Sequence, residues 1–274
     1  KKEKGYKFCT DQNIIKKRYE RSKILNPHVP KIMKKTKYFY VYKFINGNIF
    51  SKLKNKRREF LKLLDWLNKN FWKKKIFSDK KMRVFEQKCN SFYYEKSLSR
   101  INYLYEKNNI NDQIEIINNI KTPKISSLFE QIDWREINAG VPVNFHGDLH
   151  FENIIKNKNK ITLLDWREDF SSIKNYGDIY YDLAKINHGL IIDHNIIKRS
   201  KFDVKIDKKK IKINFVQSKE NKDCQKLFFK FLKDNNYSLL KVKILTSLIF
   251  LNIACLHHYP YSIFLYYLGK SSLY

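Results

Sequence analysis

The sequence predicts an α+β fold in which helices predominate and short strands flank a polar loop. Two brief apolar runs, residues 141–145 and 161–164, are typical of strands and enclose a segment rich in polar residues. Apolar residues at three- and four-residue spacing between positions 55 and 108 indicate amphipathic helices. A strictly alternating stretch over residues 201–215 predicts a β-hairpin inserted among later helices. The length of 274 residues allows one large domain or two lobes.

The first predicted elements are a short strand over residues 6–9 and a helix over residues 13–25. A second strand, over residues 38–45, is rich in aromatic and β-branched residues and runs into the turn Asn46-Gly47. Because the sequence lacks an initiating Met and starts directly on a strand-like fragment, we expect its N-terminus to be truncated.

Helical spacing then dominates the chain. We interpret its apolar stripes as core faces, and residues 114–120 and 126–132 continue the helical prediction. Further helices are predicted over residues 223–233, 239–256 and 261–268. The stripes comprise Phe60, Leu63, Leu64, Leu67 and Phe71, then Val84, Phe85, Cys89, Phe92 and Tyr93, then Ile101, Leu104 and Tyr105.

The polar loop between the two central strands carries oxygen-bearing side chains at defined intervals. Asp148 precedes Asn153 by five residues and Asp165 by seventeen, so all three follow the ends of neighbouring predicted strands. Oxygen ligands suit Mg²⁺, which takes one or two protein groups and completes its shell with water and substrate phosphates. Each residue alone would be an ordinary turn or cap former, and only the joint pattern indicates a reactive site.

This joint pattern resembles the catalytic core of the aminoglycoside phosphotransferase and choline kinase family, the small-molecule branch of the protein-kinase-like fold. The resemblance implies a small N-terminal β lobe with its hinge in residues 1–47 and a helical C-terminal catalytic lobe in residues 48–274. The residues that carry the resemblance are His146-Gly147-Asp148, Asn153 and Leu164-Asp165-Trp166.

The resemblance also implies roles for individual residues. Asp148 would be the catalytic base that orients and deprotonates an acceptor hydroxyl, and His146 would support its loop. Asn153 and Asp165 would hold the Mg²⁺ ions that bridge the phosphates of ATP. In the stretch Gly177-Asp178 to Ala184, Asp182 would accept hydrogen bonds from backbone amides near His146 and so brace the loop.

Nucleotide-binding residues are predicted with alternatives left open. By the same resemblance, the backbone of Lys43, Phe44 and Ile45 would hydrogen-bond adenine; the alternative is a plain edge strand and turn. Lys7 is a candidate for the lysine on the ATP phosphates, with Glu20 as its partner, although both could equally be solvated charges. No Gly-x-Gly occurs, so a glycine-based phosphate loop is absent from the sequence.

Two further residues are candidates for the acceptor pocket. After Asp165 the sequence continues Trp166-Arg167-Glu168-Asp169 and departs from the family pattern. Arg167 or Asp169 is therefore a candidate to face the acceptor, against the alternative of a surface ion pair. The hairpin over residues 201–215 is either a lid over the acceptor site or a surface decoration.

Composition restricts the remaining possibilities. A net charge of +29 raises nucleic acid or an anionic surface as a partner. The abundance of Lys, Asn, Ile, Tyr and Phe with few Gly and Pro is typical of an AT-rich genome, so we interpret most of the charge as solvated lysine faces.

The four cysteines are scattered and predict reduced thiols in a cytoplasmic protein. The most apolar run, residues 244–256, is too short for a membrane span.

We therefore predict an ATP- and Mg²⁺-dependent phosphotransferase that acts on a hydroxyl of a small molecule such as a sugar, an amino alcohol like choline, or a polysaccharide precursor. A protein kinase is disfavoured by Gly147 and by the missing Phe-Gly after Asp165. A pseudokinase remains an alternative. A basic nucleic-acid-binding module is disfavoured because the basic residues are spread along the chain.

Overall fold

The structure is a computed structural model that describes residues 3–193, 196, 197 and 199–274. It contains two compact units, each built from two separate stretches of the sequence. The first comprises the described residues of Lys1–Ser78 and Val141–Ile186, and the second comprises those of Asp79–Gly140 and Asn187–Tyr274. The lobe boundary predicted after residue 47 stays a prediction.

The first unit begins with a three-stranded antiparallel sheet and one helix. The strands are β1 (Lys4–Phe8), β2 (Ile32–Lys35) and β3 (Phe39–Lys43), in the order β1-β3-β2. Helix α1 (Gln12–Ile24) starts where the Asp11 side chain accepts a hydrogen bond from the Asn13 amide at 2.8 Å. The predicted first strand and first helix are therefore confirmed.

A second sheet and a short strand pair enclose the polar loop. Strands β4 (Asn48–Ile49), β8 (Ile154–Asn157) and β9 (Lys160–Leu163) form a sheet in the order β4-β8-β9, and β7 (Pro142–Val143) pairs with β10 (Gly177–Asp178). The two predicted central strands are thus present, the first shortened to Pro142–Val143 and the second shifted by one residue to Lys160–Leu163. The polar loop connects β7 to β8, and Asp165 follows β9, so the candidate residues emerge from adjoining strand ends.

Helix α2 (Lys56–Trp66) supports the end of this loop. It continues into a wider turn over Leu67–Phe71, and its apolar stripe is buried as the spacing predicted. The ring of Phe151 lies 5.8 Å from that of Phe60 and 5.3 Å from that of Phe50, measured between centroids. This aromatic cluster fixes the segment immediately before Asn153.

The second unit is mainly helical, and most apolar residues in its predicted helical stripes are buried, but Val84 is 47% exposed. Helix α7 (Ile179–Ile191) begins in the first unit and ends in the second. The other helices are α3 (Asp79–Asn90), α4 (Lys96–Asn108), α5 (Ile125–Glu130), α6 (Trp134–Asn138), α8 (Lys219–Asp234), α9 (Leu239–Ala254) and α10 (Tyr261–Leu273).

The helix predicted over residues 114–120 is wrong, because this stretch forms a hairpin of β5 (Glu115–Ile117) and β6 (Ile120–Thr122). Asn118 and Asn119 both have left-handed backbone angles, with φ of 47° and 67°, which form a tight turn. The predicted hairpin over residues 201–215 is confirmed as β11 (Phe202–Asp207) and β12 (Lys210–Phe215). Since β12 also pairs with β5, these strands form one sheet, ordered β11-β12-β5-β6.

A buried ion pair anchors this sheet to α10. The Lys270 ammonium lies 2.6 Å from a carboxylate oxygen of Glu115, and both residues are almost fully buried. The Tyr267 hydroxyl donates to the other Glu115 oxygen at 2.9 Å. A buried charge pair of this kind is stable only when both partners remain and the remaining donors are satisfied.

None of the helices in the described part of the chain combines the length and apolar character that a membrane crossing requires. None of the four cysteines, all of which lie in the described part of the chain, forms a disulfide bond, and Cys89, Cys224 and Cys255 are buried.

Candidate active site

The path of the polar loop is fixed by the buried carboxylate of Asp182, in the first turn of α7. One of its oxygens accepts hydrogen bonds from the His146 amide at 2.7 Å and the Trp72 indole at 3.1 Å. The other accepts from the Gly147 amide at 2.7 Å. Burial raises the pKa of Asp182 to about 6 against the opposing effect of these hydrogen bonds. The contact predicted from the sequence is therefore present.

His146 connects the loop to the residue before Asp165. Its Nδ1 accepts from the Asp148 amide at 3.2 Å, and its Nε2 lies 2.8 Å from the Leu164 carbonyl oxygen. Burial lowers the pKa of His146 to about 4, so the ring is neutral at physiological pH. A neutral imidazole has one donor and one acceptor, and these contacts place its proton on Nε2. His146 thus holds the two segments together and does not carry a mobile proton.

The carboxylate of Asp148 lies between two cations. Its Oδ1 is 2.9 Å from the Lys185 ammonium, and its Oδ2 is 3.6 Å from Nε2 of His150. Burial alone would raise the pKa of Asp148, but Lys185 and His150 hold it well below its usual range. Asp148 is therefore ionised throughout the physiological pH range.

His150 is the second of these cations. Burial disfavours its charged form, but hydrogen bonding to Asp148 and Glu152 outweighs burial and raises the pKa of His150 to about 9. Its Nδ1 lies 3.2 Å from a Glu152 carboxylate oxygen. The ring is therefore protonated at neutral pH and bridges two carboxylates.

Asn153 and the residue before Asp165 are held by hydrogen bonds within the site. The Asn153 side-chain nitrogen donates to the Asp148 carbonyl at 2.9 Å, which turns the amide oxygen away from that carbonyl. The Asn153 carbonyl accepts from the Leu164 amide at 2.7 Å, so the loop and the strand end before Asp165 are joined by a backbone hydrogen bond. Asp165 has a left-handed backbone with φ of 54°, an uncommon conformation for a residue other than glycine.

Lys7 on β1 contacts Asp165 directly. Its ammonium lies 2.8 Å from a carboxylate oxygen, and both side chains are about one third exposed, at 36% and 34%. The structure therefore brings the predicted phosphate lysine to a predicted metal ligand. The predicted pairing of Lys7 with Glu20 is wrong, because Glu20 pairs with Lys174 at 2.6 Å. The physical reason is that Arg21 occupies the side of α1 that is buried against the loop.

Arg21 is a residue that sequence reasoning missed. Its buried guanidinium donates to the carbonyl oxygens of Phe145, Arg167 and Lys174, and it stacks over the Phe145 ring at 4.3 Å. Burial lowers the pKa of Arg21 to about 10, which leaves it charged. One helix side chain therefore holds both the start of the polar loop and the segment after Asp165. The basic run on α1 opposite Glu168-Asp169 is the sequence signal that could have indicated this contact.

The two acceptor candidates have different surroundings. The Asp169 carboxylate pairs with Lys17 at 2.7 Å and accepts from the Ser172 amide at 3.1 Å, so it secures α1. The Arg167 side chain passes over Gly147, where an added Cβ would lie only 2.6 Å from the Arg167 Cβ. Gly147 has a φ of +84°, so both its conformation and its surroundings require glycine. A role in acceptor binding stays a prediction for both candidates.

The predicted adenine-binding run lies at the end of β3. Lys43 is the last residue of that strand, and the Phe44 amide donates to the Glu3 carbonyl at 3.1 Å. An adenine bound here would therefore use other backbone groups of Lys43, Phe44 and Ile45. This assignment stays a prediction.

The oxygen atoms of Asn153 and Asp165 fit a magnesium site in which phosphate and water supply the remaining ligands. Within the described ranges, no three His, Cys, Asp or Glu side chains form a cluster that could enclose an ion. Mg²⁺ does not require such a cluster, because it is commonly held by one or two protein oxygens together with phosphates and water. An oriented amide oxygen at Asn153 and a carboxylate at Asp165, on backbone segments that are hydrogen-bonded together, match this requirement.

Comparison with known proteins gives similarity in structure only. No family model matches the sequence, and no curated protein matches it. The chain is similar to solved small-molecule kinases, among them an ethanolamine kinase of Plasmodium vivax, at 15% identity and a TM-score of 0.49, with 98% of this chain and 74% of that one covered. A choline kinase of Cryptosporidium parvum matches at 13% identity and a TM-score of 0.40, covering 92% and 73%.

The gentamicin complex of APH(2″)-IIa matches at 14% identity and a TM-score of 0.47, covering 98% of this chain and 84% of that one. The mixed α+β class that the sequence predicted is confirmed by the helices and short sheets of this chain itself.

Replacing Asp182 by Asn is expected to destabilise the protein by about 2–4 kcal/mol, because one of two buried acceptor oxygens becomes a donor facing backbone N–H groups. Any catalytic turnover should fall about 100-fold in the folded fraction, since the loop would lose its position. Urea unfolding and steady-state kinetics measure the two effects.

Asp112→Asn is the matched control for this variant, because Asp112 also accepts two backbone amides, those of Ile125 and Ser126 at 2.7 and 2.9 Å, away from the loop. It should lower stability without changing turnover. Equal turnover in the two variants would contradict the bracing role of Asp182.

The raised pKa of His150 predicts a specific pH dependence of stability. A histidine whose pKa is about 9 in the folded state and about 6.5 when unfolded stabilises the fold fully below pH 6.5. That contribution, on the order of 3 kcal/mol, is lost as the pH rises through about 9.

Urea unfolding of the wild type and of His150→Gln, measured between pH 6 and pH 10, should show that the variant lacks this decline. His258→Gln, which replaces an exposed histidine, is the control and should keep the wild-type slope. A parallel pH dependence in wild type and His150→Gln would show that His150 is not held in its charged form.

Proposed function

We propose that this protein is an ATP- and Mg²⁺-dependent phosphotransferase that transfers the γ-phosphate to a hydroxyl group of a small molecule. One observation carries the proposal: Asp148, Asn153 and Asp165 lie on backbone segments that His146 and Asp182 hold together, and Lys7 on β1 contacts the Asp165 carboxylate. A carboxylate to orient a hydroxyl, oxygen donors for a metal and a lysine for phosphate are the groups that phosphoryl transfer requires.

In this proposal each residue has one task. Asp148 accepts a hydrogen bond from the acceptor hydroxyl and takes up its proton as the oxygen–phosphorus bond forms. Asn153 and Asp165 would hold Mg²⁺, which neutralises charge on the phosphates when bound. Lys7 would contact the nucleotide phosphates, and the backbone of Lys43, Phe44 and Ile45 would contact adenine. Catalysis then depends on position and charge, because phosphoryl transfer needs little covalent chemistry from the protein.

The proposal includes the cellular compartment of the protein. Cysteines that are mostly buried and form no disulfide among the described residues suit a reducing compartment, and we place the protein in the cytoplasm. Because the net charge of +29 would attract ATP and other phosphorylated molecules, it is compatible with this function.

Replacing Asp148 by Asn tests the proposed base. Turnover of Mg-ATP with an acceptor should fall by about 10²–10⁴-fold, since an amide cannot accept the proton. Binding of Mg-ATP, measured by calorimetry, should stay within about twofold of the wild type.

Asp203→Asn, on the exposed strand β11, is the control and should leave both quantities unchanged. Retained turnover in Asp148→Asn would remove Asp148 from the role of base. Binding of nucleic acid that falls steeply with salt, without any Mg-ATP signal, would replace the proposal by a nucleic-acid-binding function.

A thermal-shift and turnover panel in the presence of Mg-ATP tests the acceptor class. Because Lys185 and protonated His150 already pair with Asp148 and Glu152, the site offers no uncompensated carboxylate to an ammonium group, which would lose its hydration close to the reacting hydroxyl without a new partner. Neutral sugars are therefore expected to give higher kcat/KM than choline, ethanolamine or glucosamine. A preference for the amino compounds would contradict this assignment.

A further inference from the structure

Lys185 is a buried cation beside the proposed base. Only 7% of the residue is exposed, and its ammonium lies 2.9 Å from Oδ1 of Asp148. Lysine is almost never buried unless it is paired, because removing an ammonium from water is costly. The burial of Lys185 therefore depends on its pairing with Asp148, the proposed base.

The position of Lys185 on α7 links it to the residue that braces the loop. Asp182 and Lys185 are three residues apart, so they lie on the same side of the helix. Asp182 holds the backbone of His146 and Gly147, and Lys185 holds the side chain of Asp148. One turn of α7 therefore controls both the path of the loop and the orientation of its carboxylate.

The two oxygens of Asp148 differ in how firmly they are held. Oδ1 has a short contact with Lys185, whose side chain is only 9% exposed and so has little freedom to move. Among the described residues, the contacts of Oδ2 are longer, at 3.4 Å from the Asn153 amide nitrogen and at 3.6 Å from His150. Distances of this length are weak for hydrogen bonds, so Oδ2 is the oxygen that a new donor can engage.

We propose that Lys185 is a positioning residue: it fixes Asp148 through Oδ1 so that Oδ2 is presented to the acceptor hydroxyl. This inference rests on the proposed phosphotransferase function. The hydroxyl proton passes to Oδ2, the acceptor oxygen bonds to the γ-phosphorus, and the bond from that phosphorus to the bridging oxygen of ADP breaks. Lys185 keeps its protons throughout and acts only through Asp148.

Two other roles for Lys185 make different predictions. If the pair with Asp148 served only stability, removing Lys185 would lower the melting temperature but leave the turnover of the folded enzyme unchanged. If the ammonium contacted the phosphates of ATP, removing it would raise KM for Mg-ATP and would do so whether or not Asp148 is intact.

A double-mutant cycle with Lys185→Met and Asp148→Asn separates these roles. Met keeps the length of the side chain and removes the charge. We expect Lys185→Met to lower kcat about 100-fold with KM for Mg-ATP within about twofold of the wild type. In the Asp148→Asn background the same change should cost less than about twofold, since Lys185 would have no carboxylate to position. Equal losses in both backgrounds would overturn the proposal.

Two further variants complete the experiment. Lys185→Arg keeps a cation at the site and should recover at least tenfold of the kcat lost in Lys185→Met. Lys270→Met removes the ammonium of the other buried pair, with Glu115, and should lower stability without lowering kcat. A loss of kcat in Lys270→Met as large as in Lys185→Met would show that the effect is general destabilisation.

A crystal structure of the Lys185→Met variant decides the inference without any turnover. We expect the Asp148 carboxylate to rotate or become disordered, while the His146 and Gly147 amides remain on Asp182. An Asp148 carboxylate that keeps its orientation would overturn the positioning role. Absence of Mg-ATP turnover in the wild type would instead refute the proposed function, so the two failures are distinguishable.

Discussion

The arrangement of the candidate site depends on the hydrogen bonds that the buried carboxylate of Asp182 accepts. It is removed from water, and three donors from the loop and from Trp72 take the place of its hydration. These hydrogen bonds determine where the backbone of His146 and Gly147 runs, and therefore where the side chain of Asp148 begins. Burial raises the pKa of Asp182, whereas these hydrogen bonds and the charge of Arg21 favour its ionised form, which makes the loop geometry and the charge state interdependent.

A second constraint couples helix α1 to the segments on both sides of Asp165. Arg21 donates to three backbone carbonyls, and around it Lys17 and Glu20 pair with Asp169 and Lys174. The Trp166 indole also donates to the Arg18 carbonyl at 2.9 Å. A lysine–glutamate pair between strand and helix was expected here, and a buried arginine takes its place. The helix therefore positions Asp165 through the backbone of its neighbours, while Lys7 contacts its side chain directly.

Much of this site followed from local sequence. The intervals between Asp148, Asn153 and Asp165, set between short apolar strands, were sufficient to select the residues that the structure brings to adjoining strand ends. Most of each helical stripe was also correct, since periodicity reports which side of a helix is buried, but Val84 is exposed. The helix predicted over residues 114–120 is wrong for a local reason. The spacing of the isoleucines suits either a helix or a strand, and the Asn118-Asn119 turn was not recognised.

What the sequence determined by itself was the set of elements, the polar loop and the chemical class of its side chains, because periodicity, turn chemistry and motif spacing are properties of neighbouring residues. Only the tertiary structure decided which charges meet. The pair of Asp148 with Lys185 joins residues 37 positions apart, and Arg21 reaches carbonyls more than 120 positions away. In a chain with 56 basic residues, local sequence cannot indicate which of them is buried beside a given carboxylate, since burial is set by packing between distant segments.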